Sequence, residues 1–356
     1  MSSPDALDSN ARSRGFWSEA WARFRRRKLA MLSLYFVTFL LLVALLAPAI
    51  VGTKPIVCKY KGSIYFPFMG YYKRSWENSV FANDRFRKVY PKPLHEKDPE
   101  SWAIWPLVFQ DPYYRVNSDH WKGVPGWENR PENPTGSDGV PSRHNLFGTN
   151  RQGVDLFASM VHGTQIALSV GFVSMGIAAA IGMIVGALAG YLGGWVDMVL
   201  SRMIEVVLCI PSLVLILALI ALVPEVSTWH LMVIVGCTSW TGIARLTRGE
   251  FLKLKNMEFV TAARALGASP VRVMFRHVLR NALAPVLVPI TFGIASAILV
   301  ESGLSYLGFG ASPPNPSWGT SLQSGRATIE QTWWLIVFPG AAIFLTVLAY
   351  NLIGEG

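Results

Sequence analysis

The sequence predicts an all-α integral membrane protein with six transmembrane helices, cytoplasmic N- and C-termini, and a small extracytoplasmic domain inserted between the first and second helices. Three observations carry that prediction. Of 356 residues, 51% are hydrophobic and only 15% are charged, against about 25% charged in an ordinary soluble domain. A chain so poor in charge cannot cover two or three water-facing domains, so much of it belongs in lipid. Apolar runs long enough to cross a bilayer recur along it, and basic residues concentrate between two of them, where they set orientation.

Residues 1–28 carry seven basic and three acidic groups, and Trp17, Trp21 and Phe24 recur at helical spacing before Arg25-Arg26-Arg27-Lys28. This is the pattern of an interfacial amphipathic helix feeding a span. Residues 29–51 then run without a charge, roughly 34 Å of helix and enough to cross the hydrocarbon core. Ala47-Pro48-Ala49 is a poor cleavage site and the run exceeds a signal peptide's usual core of about 7–15 residues, so an uncleaved first helix is expected.

Residues 52–150 differ in kind, with 14 basic and 10 acidic groups and many Tyr, Trp and Pro. No stretch there could span. Pro91-Lys92-Pro93 and the run from Pro125 to Pro141 read as loops. This insert is expected outside the cell, aromatic-cored and wet on its surface. Residues 151–356 hold five further spans, near 164–192, 198–223, 229–249, 283–308 and 333–353. The first of these carries Gly171, Gly176, Gly182, Gly186 and Gly190, a small-residue face of the kind that lets helices pack closely in lipid. Arg245 and Arg248 in the last turns of the fourth span, and Lys253, Lys255, Arg264, Arg272, Arg276 and Arg280 between it and the fifth, are opposed only by Glu250 and Glu258. So basic a short loop is expected in the cytoplasm, as a six-span, N-inside count requires.

That loop, residues 256–281, reads as a small helix–turn–helix. Asn256 can cap a helix that Gly267 ends in the left-handed conformation. Ser269 can cap a second one with Pro270 at its first position. Ala262, Ala263, Ala265 and Gly267 make an exposed tip small enough for another protein to approach closely.

Several function classes are excluded or disfavoured. No zinc-finger spacing or RNP-like strand accompanies the net charge of +10, so the excess belongs to span ends rather than to nucleic acid. There is no Gly-x-x-x-x-Gly-Lys-Ser/Thr loop for a nucleotide phosphate. Six scattered histidines offer no ligand-like pair, and Cys58, Cys209 and Cys237 make no disulfide framework. A non-catalytic chain is expected, with no cofactor of its own. Glu301 lies well inside a span, where a carboxylate in lipid would cost about 3 kcal/mol or more. Either it lines a translocation path or it hydrogen-bonds a neighbouring helix. Arg202 and Glu205 read as a local pair.

Here the residues carry a resemblance. Glu258 to Asn281, with Glu258, Ala262, Ala263, Arg264, Gly267, Ser269, Pro270 and Arg276, resembles the EAA loop of ABC-importer permeases, which couples to a groove of the ATPase subunit. Phe147 to Asp155, Gly190 to Asp197, and Leu307-Gly308-Phe309-Gly310 through Pro313-Pro314-Asn315-Pro316-Ser317-Trp318-Gly319 are similar to the dipeptide/oligopeptide branch, C-type subunit. The insert is similar to that of the microcin C/oligopeptide subgroup. The resemblance covers residues 16–51 and 144–356. It implies a peptide permease of the inner membrane, partnered by a homologous permease, two ATPases that bind ATP and Mg, and an extracytoplasmic binding protein. Thr261 stands where that branch often has Glu, and Arg280 where it often has Pro. Relatives for nickel or sugars share these motifs, and a non-transporting receptor or scaffold is the alternative from another class.

Overall fold

The computed structural model describes residues 16–72, 98–116, 131–310 and 315–356. The Pro91–Pro93 loop, residues 125–130 of the second loop and Pro313-Pro314 lie outside the described residues. Helix α1 (Phe16–Arg26) leads into α2 (Lys28–Ile50), whose Leu41, Leu42, Leu45 and Leu46 are exposed. Pro48 cannot offer an N–H to the Ala44 carbonyl four residues back. The Gln165 side chain supplies the missing donor, Nε2 to Ala44 O at 2.8 Å.

Helix α3 (Leu156–Leu192) begins eight residues before the span expected at 164. The correction has a local cause. The Asp155 side chain caps the helix by accepting from the Ala158 N–H at 2.8 Å. Ser159 Oγ then donates to the Asp155 carbonyl at 3.0 Å. The buried His162 ring is held through Nε2, 2.8 Å from the Val51 carbonyl, while its Nδ1 has no partner among the described residues. At about 56 Å, α3 is far longer than a hydrocarbon core of about 30 Å, and its first turns stand among the insert.

The glycine face of α3 is real but narrower than expected. A Cβ on Gly182 would meet the Trp240 carbonyl at 2.7 Å and one on Gly190 the Phe251 Cβ at 2.6 Å, while Gly186 abuts Ala244. All three face α6 (Thr228–Leu254), and Gly236 of that helix answers against Ser174 and Ile177. Gly171 packs instead on Ile294 and Ile298, and Gly176 faces open space.

The single span expected at 198–223 is two helices, α4 (Gly194–Leu208) and α5 (Ser212–Ala221), bent by 82°. Pro211 lies in the break, where its ring and missing N–H end the α4 ladder. Among the described residues four helices are long and apolar enough to cross a membrane, and the bent pair makes five. Those four are α2, α3, α8 (Pro270–Leu307) and α10 (Trp334–Gly354).

Between the last two, the short α9 (Trp318–Gly325) folds back into the bundle. Its Trp318 donates from Nε1 to the Met160 carbonyl at 3.1 Å, and Gly319 lies on the Ser302 main chain of α8.

The insert corrects the all-α expectation. It contains a three-stranded antiparallel sheet in the order β2-β1-β3, from Val57–Tyr60, Ser63–Tyr65 and Trp102–Ile104. Lys61 (φ 49°) and Gly62 (φ 78°) make the tight β1–β2 turn. Cys58, central in the sheet, is buried and unpaired, and burial pushes its thiol up to about 11. Beside the sheet, Asp111 accepts from the Thr53 hydroxyl and from the N–H groups of Tyr113 and Tyr114.

Candidate functional site

Residues 256–281 fold much as their local chemistry dictates. Helix α7 (Glu258–Ala265) starts after Met257, without a side-chain cap, so the expected Asn256 cap is not used. Glu258 in the first turn and Arg264 in the last complement the helix dipole. Gly267, at φ 79°, ends α7. The Ala268 N–H bonds the Ala263 carbonyl at 3.1 Å and the Gly267 N–H bonds the Arg264 carbonyl at 2.9 Å, the pair of bonds that closes a Schellman turn. Ser269 then caps the next helix with Pro270 at its first position. That helix is not a separate one. After one wide turn at Val273–Val278 it continues into α8, so the loop's second arm and a 38-residue span are one rod. Arg280 sits within that rod, exposed.

The loop has an inner and an outer face. Inward, Val260 and Ala263 of α7 join Val273, Met274, Val278 and Ala282 of α8 in a buried cluster with Ala187 of α3 and Phe251 of α6. Ala263 is therefore a packing residue, only 9% exposed, and not part of the tip. Outward lie Glu258, Ala262, Arg264, Ala265, Gly267, Ser269, Pro270 and Arg276. Sequence reasoning missed their apolar companions: Leu266 is 89% exposed, and Val271, Phe275, Phe259 and Met257 are exposed as well. Exposed apolar side chains of this kind, set among arginines, are a feature of surfaces that meet another protein or a membrane. The signal was available, since Leu266 stands about 120° around the helix from Val260 and cannot share its buried stripe.

Charge ties the loop's base together. Asp197, in the first turn of α4, receives both Nε and Nη2 of Arg248 from α6, the latter at 2.7 Å, and the Ser201 hydroxyl as well. Gly193 and Gly194 (φ 68° and 56°) make the turn that brings Asp197 there. Lys255 donates to the Gly190 carbonyl at 3.1 Å, and the Arg264 guanidinium lies 5.4 Å over the Tyr191 ring.

Glu301 is on the same rod but far from the loop, roughly 46 Å along the axis from Pro270. It is 1% exposed. It accepts from Ser305 Oγ at 2.7 Å and Ser302 Oγ at 3.3 Å, and the Ser317 hydroxyl at the start of α9 bonds it too. This geometry fits the hydrogen bond to a neighbouring helix. Arg202 and Glu205 do pair, on the surface.

At the opposite end, the Phe147–Asp155 motif is a folded joint. Asn150 accepts from the Gln152 and Val154 N–H groups, both at 2.9 Å, and Gly148 and Gly153 adopt positive φ. The Asn145 amide donates to Asp155 at 2.8 Å and to Asn133 at 3.1 Å, and Asn133 and Gln110 exchange a pair of amide bonds. Burial pushes the Asp155 carboxyl up to about 6, against the pull of those bonds. Beside this joint a cavity of about 520 Å³ opens between insert and bundle, walled by uncharged groups such as Tyr113, Asn150, Ser159, Thr320 and Gln323.

These features describe a polytopic helical membrane protein with a basic loop that carries exposed apolar side chains. The comparisons identify which kind. Residues 182–355 match the family model "binding-protein-dependent transport system inner membrane component", and residues 15–60 match the N-terminal transmembrane domain of oligopeptide transport permease C. The dipeptide transport system permease protein DppC of Alkalihalophilus pseudofirmus is 37% identical over 63% of this chain and 73% of its own length. The probable D,D-dipeptide permease DdpC of Escherichia coli is 38% identical over 61% of this chain and 72% of its own. The peptidoglycan transport system permease YejE of Agrobacterium fabrum is 31% identical over 94% of this chain and 90% of its own, a match that runs through the insert. The chain belongs to the family of inner-membrane components of binding-protein-dependent transport systems, and is a multi-pass inner-membrane protein.

Proposed function

We propose that this chain is the C-type permease subunit of an ATP-driven importer of peptides. The relatives' names, all for peptide or peptidoglycan transport, support that cargo. Its six spans are α2, α3, the bent α4–α5 pair, α6, α8 and α10, with both termini in the cytoplasm. A homologous permease completes the path, two ATPases bind ATP and Mg, and an extracytoplasmic binding protein delivers the peptide. This chain performs no ATP chemistry.

One observation carries the coupling assignment: the exposed Leu266–Phe275 patch sits directly over a buried cluster shared by α3, α6, α7 and α8. Closure of the ATPases on ATP pushes this patch, and the α8 rod carries the tilt across the membrane, biasing two access states. Glu258, Ala262, Arg264, Gly267, Ser269, Pro270 and Arg276 form or shape the contact, Ala263 supports it from beneath, and Glu301 pins α9 to α8. The insert caps the outer mouth, where it meets the partner permease and docks the loaded binding protein.

Leu266→Glu tests the reading, because it changes nothing inside the chain. In the reconstituted transporter, peptide uptake and binding-protein-stimulated ATP hydrolysis are expected to fall on the order of 30- to 100-fold, the scale of an interface hot spot. Membrane insertion should be normal. Uptake at the wild-type rate would overturn the assignment.

A further inference from the structure

The insert meets the membrane in an unexpected way. Of its 99 residues, 24 are charged, yet its two longest charge-free runs hold Gly62 to Tyr72 and Trp102 to Gln110. Both stretches lie at the foot of the insert, against the end of α2. The Leu107 and Val108 N–H groups donate to the Ala49 and Ile50 carbonyls, at 3.3 and 2.9 Å, which satisfies acceptors left free where α2 ends. A Cβ on Gly52 would touch Tyr71 at 3.1 Å and Pro106 at 3.4 Å, so the two stretches close around the helix end.

Their outward side chains are apolar. Leu107 is 79% exposed and Ile104 54%, with Met69 and Tyr72 at 38% and 41%. This surface continues the exposed face of α2, where Leu45 and Leu46 point outward at 58% and 53%. Tyr72 fixes its depth. Its hydroxyl turns down along α2 and donates to the Leu45 carbonyl, five residues and about 7 Å short of the last residue of α2. A tyrosine in water would leave its hydroxyl to solvent. One whose ring lies among acyl chains must find a protein acceptor, because the bilayer core offers none. Aromatic side chains with one polar end also concentrate at that boundary.

We propose that the foot of the insert, Phe66 to Tyr72 together with the Ile104–Leu107 corner, is seated in the headgroup–acyl boundary of the phospholipid leaflet at the C-terminal end of α2. The insert is then a membrane-surface module with lipid as its partner on this face. Its charged remainder projects into water from a fixed height beside the first span. This does not depend on the cargo, on the coupling loop, or on which side of the membrane that leaflet faces.

Spin labels test it in the assembled transporter in phospholipid nanodiscs. With Cys209 and Cys237 changed to serine, the buried Cys58 stays unreactive, and a label is placed at Leu107→Cys or, separately, Met69→Cys. Leu46→Cys gives the lipid reference and the exposed Ser137→Cys the water reference. The expected result is a ratio of oxygen to water-soluble nickel-complex accessibility at both foot positions that is several-fold above Ser137 and close to Leu46. A ratio equal to that of Ser137 would place the foot in water and overturn the proposal. Shielding from both reagents would overturn it too, by placing a partner subunit there.

Discussion

At the loop end of the molecule, apolar side chains from four helices bury one another and leave Leu266, Val271 and Phe275 uncovered. At the insert end, Gln110, Asn133, Asn145 and Asp155 bury three amides and a carboxyl, and each finds hydrogen-bond partners. The difference is mechanical. Apolar contact is non-directional, so a cluster of this kind can be tilted and re-seated at little cost. A buried hydrogen-bond network has one satisfied geometry, and departing from it leaves polar groups unpaired. On the proposed coupling, the end that would take the push is greased, and the end that carries the insert is locked.

The largest expected effect lies on the buried side of the loop. Ala263→Arg would force a long charged side chain between Val260 and the start of α8, in space that is already filled. We expect a stability loss of about 3 kcal/mol or more, seen as a lower unfolding temperature of the purified permease. Normal stability with lost transport would return Ala263 to the outer face.

The locked end should respond to pH. The Asp155 carboxyl is raised from 3.8 to about 6 in the folded protein, so the native state holds its proton more tightly than the unfolded one. Stability at this joint therefore rises as pH falls from about 6 towards 4, by at most about 3 kcal/mol, and is flat above 6. Hydrogen exchange at the start of α3 would read it. Asp155→Asn keeps an acceptor for the Ala158 N–H and should abolish the pH dependence, whereas Asp155→Ala also loses the cap, at about 1 kcal/mol. An unchanged pH profile in Asp155→Asn would mean another group carries it.

The smallest effect is expected at neither end. Arg202 and Glu205 pair on the surface with side chains 76% and 55% exposed, so Arg202→Ala should shift stability by no more than about 0.5 kcal/mol. A larger loss would show that the face of α4 is covered in the assembled transporter.

What could be read along the chain was whatever neighbouring residues settle among themselves. Gly267 ends α7 and Ser269-Pro270 opens the next helix because those groups act within one turn. The apolar runs announced α2 and α10 almost to the residue, since chain length against bilayer thickness is a local question. Other features needed partners distant in sequence. Asp155 caps α3 locally, but His162 in its first turns finds its acceptor in the distant Val51. Pro48 is tolerated in α2 because Gln165, 121 positions from Ala44, donates to the carbonyl that Pro48 leaves free. The single span expected at 198–223 ran straight through Pro211, and neither the break there nor its 82° angle was read from the sequence. Helical spacing from Val260 separates Ala263 from Leu266, but which of the two faces is buried is decided by the packing of α7 on α8, α3 and α6, which covers Ala263 and leaves Leu266 in the open.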